Sequence, residues 1–364
     1  EGFTYPAGVQ AQYDDSIAAL EAAAKASNLS VSQYLKNRFG ATMSRSVYET
    51  QLMRMLKYDA YCTAHYDGLT YTDAEISDAY NADPNSYDKA AYEYVSISGS
   101  AESTEDAEGN TVEPTEEESA AAKEAAKEAA DAMLAAFQAG SDLETLADAN
   151  DKATYTNLDA GTYSSSALGD WVFDKARKAG DSAVLESGST YYVAVFHDRF
   201  REEYNTIDVR HILVSLGSAT LTEGDEGYEE EQAQLQAEAK AKADELLAQW
   251  QSGDATEDSF AALAMQESVD GSKYDGGLYT QVYNGWAVEA FNDWCFDPSR
   301  KPGDTDVVET QYGAHVMYFV GEDLPRWQAQ VVSDLKDEAY SEWAEGLSTD
   351  NTVTRSDFGM KFVG

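Results

Sequence analysis

"DWVFDKARKAGDSAVLESGSTYYVAVF", residues Asp170–Phe196, and "DWCFDPSRKPGDTDVVETQYGAHVMYF", residues Asp293–Phe319, align without a gap. Trp171 falls on Trp294, Phe173 on Phe296, Gly180 on Gly303 and Glu186 on Glu309. Self-similarity this dense means that one unit is built twice. Working outward, the same series precedes each copy. A strand "AAYEYVSISGS", an acidic loop "STEDAEGNTVEPTEEES" and an alanine-rich helix closed by Gly140 lead into the first. The strand "VRHILVSL", the acidic loop "TEGDEGYEEE" and a helix closed by Gly253 lead into the second. The chain therefore holds two modules of about 100 residues, a usual domain size.

Outside the modules the periodicity is helical. "DDSIAALEAAAKASN", "SVSQYLKNRFG" and "SRSVYETQLMRMLKYDAYCTAHY" predict three helices. Gly40 ends the second, and Ser46 with Glu49 gives the third a capping-box spacing. Thr72 with Glu75 repeats that spacing ahead of a short helix that Pro84 stops. At the other end, Trp327, Val331, Leu335, Ala339 and Trp343 recur every four residues, one stripe of a helix that must be buried. The small N-terminal helical unit is its natural partner. The expected division is 1–87 helical, 88–201 first module, 202–322 second module and 323–364 a helix returning to the N-terminal region.

Bulk composition narrows the function. Sixty-seven acidic residues against 25 basic ones give a net charge of -42, a surface that repels phosphate backbones, so nucleic acid is excluded as a partner. No apolar run approaches the roughly 18 residues of a membrane span. The abrupt start "EGFTYPAG" is read as a mature chain from which a signal or anchor has been removed, so that any membrane anchor would lie in that segment. Cys62 and Cys295 are read as reduced, the latter in a core. Cys62 and His65 form a lone C-x-x-H without further ligands nearby, the acidic loops hold no complete calcium pattern, and there is no phosphate loop, HExxH or G-x-S-x-G. Neither a metal nor a small-molecule cofactor is expected.

Of four histidines, His65, His197, His211 and His315, two lie in the second module, one in its first strand and one in its last. The matching positions of the first module are Tyr94 and Tyr192. A joint role for His211 and His315 and independent drift at two sites both fit this pattern.

"RHILV", then "FAALAMQESVDGSKYDGGLY", "NGWAVEAFNDWCF" and "PGDTDVVETQYGAHVMYF", in this order between about Thr206 and Val320, resemble the parvulin family of peptidyl-prolyl isomerases. The resemblance implies an α+β fold: two tandem modules, each a four-stranded antiparallel sheet with surrounding helices and with its first and last strands adjacent in the middle, plus an all-α domain from the two chain ends. It implies that His211 and His315 lie side by side under the active-site floor, with Asp270 of "SVDGS" facing the X-Pro amide as the third catalytic group. It implies a substrate pocket formed by Phe291, Leu278, Ala287 (in place of the family's usual methionine) and Tyr312, with Gly313 matching the family's glycine. Asp270 also suits a turn cap, and His211 and His315 also suit satisfied core positions. "DGGL" replaces the family's frequent "GGDL", which leaves that loop uncertain by one residue. The first module resembles a parvulin that has lost its site. The whole arrangement resembles extracytoplasmic foldases of the PrsA and SurA type, which implies unfolded, proline-containing polypeptides as clients and a secreted or cell-surface location. A non-catalytic holdase and a surface-protein assembly factor are the alternatives.

Overall fold

The computed structural model describes residues 2–106, 109–163 and 168–350. The stretch after 350, grouped by sequence with the returning helix, lies outside the described residues. The chain divides into two compact units, Asp73–Glu203 and a discontinuous one made of Glu1–Thr72 with Tyr204–Gly364.

The discontinuous unit opens with three helices, α1 (Ala7–Ala26), α2 (Val31–Phe39) and α3 (Arg45–Asp67). The cap of α3 is Ser44, whose hydroxyl accepts from the Val47 amide at 3.2 Å, rather than Ser46. Glu49 is then free to pair with Arg45 at 2.7 Å, one turn away on the same face.

The contiguous unit carries α4 (Asp73–Ala82), β1 (Lys89–Ser98), a minute hairpin of β2 (Thr104–Glu105) and β3 (Thr111–Val112), α5 (Glu116–Gln138), α6 (Leu143–Asp148), β4 (Ala153–Asn157), α7 (Gly169–Val172), β5 (Ser182–Ser187) and β6 (Thr190–Phe200). The stretch read as an acidic loop thus contains a helix start. Thr115 and Glu118 form a reciprocal capping box, and Glu116, Glu117 and Glu118 fill the first turn, where the helix dipole favours negative charge.

The second module follows as β7 (Asn205–Ser215), α8 (Tyr228–Ser252), α9 (Glu257–Glu267), β8 (Leu278–Val282), α10 (Glu289–Cys295), β9 (Thr305–Thr310) and β10 (Gly313–Pro325), and α11 (Arg326–Asp350) is the last described element. Both sheets are antiparallel, with orders β4-β1-β6-β5 and β8-β7-β10-β9, so the first and last strands of each module are neighbours. The repeated residues do the same work twice. Gly180 and Gly303 adopt φ of 86° and 91°, and their amides donate to Phe196 and Phe319 carbonyls at 2.8 Å. Arg177 lies 4.1 Å over Trp171 and Arg300 4.3 Å over Trp294.

Strand alternation splits the second sheet into two faces. Ile212, Ala314 and Val316 pack under α8 and α9 with Ala243, Leu246 and Phe260. Val209, Met317 and Phe319 pack on the opposite face against Phe291, Trp294 and Cys295 of α10. At the helical end, Val9 of α1 packs with Leu52 and Leu56 of α3. The α11 stripe is buried at Trp327 and Val331, Tyr71 donates to the Leu335 carbonyl at 2.7 Å, and Trp343 stacks on His65 at 4.0 Å. His65 is therefore a packing residue beside a buried, free Cys62. Among the described residues no cluster of three or more His, Cys, Asp or Glu could hold a metal, and no helix is long and apolar enough to cross a membrane.

Candidate active site

His211 of β7 and His315 of β10 lie on the face opposite α8 and α9. In the β7–β10 ladder His211 is opposite Met317 and His315 opposite Leu213, so the two histidines are diagonal neighbours. Their rings stack at 5.3 Å between centroids, with Nδ1 to Nδ1 3.1 Å, and both are buried.

The outer nitrogens are compatible with one continuous proton order. Tyr312 N donates to Thr310 Oγ1 at 3.2 Å, leaving the Thr310 hydroxyl to donate to His315 Nε2 at 2.9 Å. His315 then carries its proton on Nδ1 and donates it to His211 Nδ1. His211 in turn carries its proton on Nε2, which lies 3.3 Å from Asp270 Oδ1 and 3.2 Å from Ser272 Oγ. The Ser272 hydroxyl donates to Asp270 Oδ1 at 2.5 Å, and so can accept from His211. In this order the imidazole pair bridges Thr310 to the Asp270 carboxylate.

Asp270 sits where α9 gives way to a 3-10 turn, Gly271–Asp275, and caps it by accepting from the Ser272 amide at 2.8 Å. The cap and the site position are one arrangement. The buried Ser268 hydroxyl accepts from the amides of Leu213 and Asp270, tying the turn to β7. Tyr279 donates its hydroxyl to Asp270 Oδ1 at 2.8 Å and stacks on His211 at 5.0 Å. Hydrogen bonding from His211, reinforced by Ser272 and Tyr279, holds the Asp270 carboxyl well below the usual carboxylate range despite partial burial. Burial pushes His315 down to about 4, His211 adds to this, and Asp270 opposes it. The Tyr279 hydroxyl is pushed up to about 12 by burial and by Asp270.

Over this polar floor lies a cavity of about 370 Å³ whose walls include Leu213, Tyr279, Trp286, Ala287, Val288, Phe291 and Tyr312. Phe291 of α10 is buried and meets both imidazoles edge to face, at 5.6 and 5.5 Å. Trp286 and Tyr312, more than one third exposed, form the rim.

The structure brings His211, Asp270, Ala287, Phe291, Tyr312 and His315 to one cavity, but not Leu278. Leu278 pairs with Arg210 and Tyr279 with Val209, so the strand period of two sends Tyr279 to the histidine face and Leu278 to the other. Opposite His211 stands Gly277, with φ of 75° and its carbonyl accepting from the His211 amide. Gly276 is also left-handed, at 68°, which accounts for two adjacent glycines in "DGGL". Sequence reading passed over Ser268, Ser272, Tyr279 and Thr310. The Ser-x-Asp-x-Ser spacing in "SVDGS" was the available signal for the first two.

Residues 193–322 match the PPIC-type PPIASE domain family. The second module carries this PPIC-type PPIase match. No curated protein matches the chain. Among solved structures, PrsA from Bacillus subtilis is similar at 21% identity over 42% of this chain and 52% of that one, with a TM-score of 0.27. The PPIase domain of TbPar42 is similar at 25% identity over 31% of this chain and 98% of its own, with a TM-score of 0.24. A chain from the structural work on PEB4 and Cj1289, two SurA-like chaperones of Campylobacter jejuni, is similar at 22% identity over 41% of this chain and 56% of that one, with a TM-score of 0.22. The match thus spans about half the length of the PrsA chain.

The first module departs from the PPIase domain at the site itself. Tyr94 and Tyr192 occupy the two histidine positions and meet edge to face at 5.7 Å. Residues 149–152 join α6 to β4, where 268–277 join α9 to β8, so the first module has no room for a turn like that bearing Asp270.

Proposed function

We propose that the chain is a foldase whose PPIase domain isomerises X-Pro bonds of unfolded polypeptides. The observation that carries this reading is the apolar cavity floored by two buried histidines with an anionic carboxylate at its edge. A planar amide resists rotation by about 18–20 kcal/mol because resonance places partial negative charge on oxygen and positive charge on nitrogen. Whatever disfavours that charge-separated form lowers the barrier. A proline ring seated against Phe291, Ala287 and Val288 takes the amide out of water, where the polar planar form is best solvated. Asp270, kept ionised by three donors, opposes negative charge on a carbonyl oxygen brought beside it, and the twisted amide carries less. His211 and His315 position Asp270, and no bond to protein is made.

The first module and the helical region are assigned to holding clients, with Tyr94 and Tyr192 as packing. The reading extends to a location outside the cytoplasm. The test is an exchange measurement of cis–trans rates on X-Pro peptides with the intact chain and with Asp270→Asn and Phe291→Ala. Asp270→Asn is expected to lower kcat/KM roughly ten- to hundred-fold, the scale of losing one preorganised electrostatic group, with folding unchanged. No acceleration by the unmutated chain, with aggregation of an unfolded client still suppressed, would overturn the enzyme and leave a holdase.

A further inference from the structure

The turn that carries Asp270 and Ser272 is not held by the PPIase domain alone. At its centre Lys273 pairs with Asp15 of α1 at 2.5 Å, and the Tyr274 hydroxyl donates to the same Asp15 Oδ2 at 3.0 Å. One helical turn pair earlier on α1, Gly8 is buried, and a Cβ there would collide with the Tyr274 carbonyl oxygen. So the α1 backbone lies directly against the turn. Within the PPIase module the turn is anchored by Asp270 as cap, by Arg210 of β7, which donates to the Asp275 and Gly276 carbonyls at 2.9 and 3.1 Å, and by the left-handed Gly276 and Gly277 against β7. The side chains of Lys273 and Tyr274, between these anchors, are held by α1, which is fixed in turn to α3 through Val9, Leu52 and Leu56.

We infer that Asp15 is a positioning residue for the isomerase site and that α1 serves as a latch, through which the helical region sets the placement of Asp270 and Ser272. This rests on the isomerase reading above. A surface ion pair contributes little to stability, and Asp15 is half exposed. Its effect is instead geometric: with the latch open, Ser272 and Asp270 lose their fixed distances to His211 Nε2, the contact that orders the imidazole pair. Lys273 is thereby committed to α1, so it is not offered to a client.

The experiment compares the intact chain with Asp15→Asn, Asp15→Glu and, as a control one residue away, Asp14→Asn, whose carboxylate accepts from Gln10 on the exposed face. Two readouts are taken together: X-Pro isomerisation split into kcat and KM, and the ¹⁵N imidazole shifts of His211 and His315. Asp15→Asn is expected to lower kcat several-fold with KM within two-fold and to shift the His211 signals, Asp15→Glu to recover most of both, and Asp14→Asn to change neither. If the unmutated chain has no isomerase activity, the function proposed above fails, and the imidazole shifts alone then decide the latch. Unmoved imidazole signals in Asp15→Asn, or moved signals with kcat unchanged in an active chain, overturn it.

Discussion

His315 is the residue at which burial has a consequence measurable without a substrate. Its ordinary value of 6.5 applies to the unfolded chain, whereas burial holds it near 4 in the folded one. Between those values the unfolded chain takes up a proton that the folded chain refuses, so stability falls as pH falls from about 6.5 to 4 and this group adds no further change below. At about 1.4 kcal/mol per pH unit the loss is on the order of 3 kcal/mol. Urea unfolding at pH 7, 5.5 and 4.5 is expected to show this decline, and the His315→Gln chain is expected to lack it over the same window. Asp270 acts later and with the usual carboxylate sign: its stabilisation is present above the unfolded value of 3.8 and is lost as pH falls below it. The histidine pair was legible in sequence because two rare residues stood at the ends of a recognisable series. Tyr279 was not, because which of two adjacent strand residues faces inward depends on pairing with β7, and no local property of "GGLY" sets that register.

Among the elements, the loop from Asp270 to Gly277 concentrates the constraints. Gly277 requires φ of 75° and a Cβ there would collide with the His211 carbonyl, while Gly303 requires φ of 91° with open space around it. Both substitutions by alanine incur backbone strain of about 1–3 kcal/mol, and only Gly277→Ala adds a backbone clash. Gly277→Ala is therefore expected to destabilise by more than about 3 kcal/mol and Gly303→Ala by less, which denaturant titration of the two variants resolves. Helix ends were read well where the chemistry is local, as at Gly40 and Gly253, and misread where two serines compete. "SRS" offers Ser44 and Ser46, and the Arg45–Glu49 pair belongs to the register in which Ser44 caps. The repeat was the most legible feature of all, because Trp171 and Trp294 are each held by an arginine six residues on, and that corner demands the same residues in both copies.

At the scale of the whole molecule, the unit 73–203 is continuous in sequence and has its own core clusters, one around Val95, Ile97 and Val193 and another around Tyr92, Phe173 and Phe196. A fragment of residues 73–203 is expected to fold alone and melt cooperatively, followed by near-ultraviolet circular dichroism; a fragment that lacks fixed aromatic signals would show that the unit depends on the rest. The other unit has no such independence from chain order. Tyr66 bonds to Asp337 at a separation of 271 residues, and Tyr274 to Asp15 at 259. Local helices form early and closures over such spans come late. While the chain is being made, α1–α3 therefore wait, with their turn-facing side uncovered until Tyr274 has emerged and their α11-facing side until Asp337 has. A chain built this way spends part of its synthesis with apolar helix faces open, and the Asp270 turn, made after α1, finds its support already waiting.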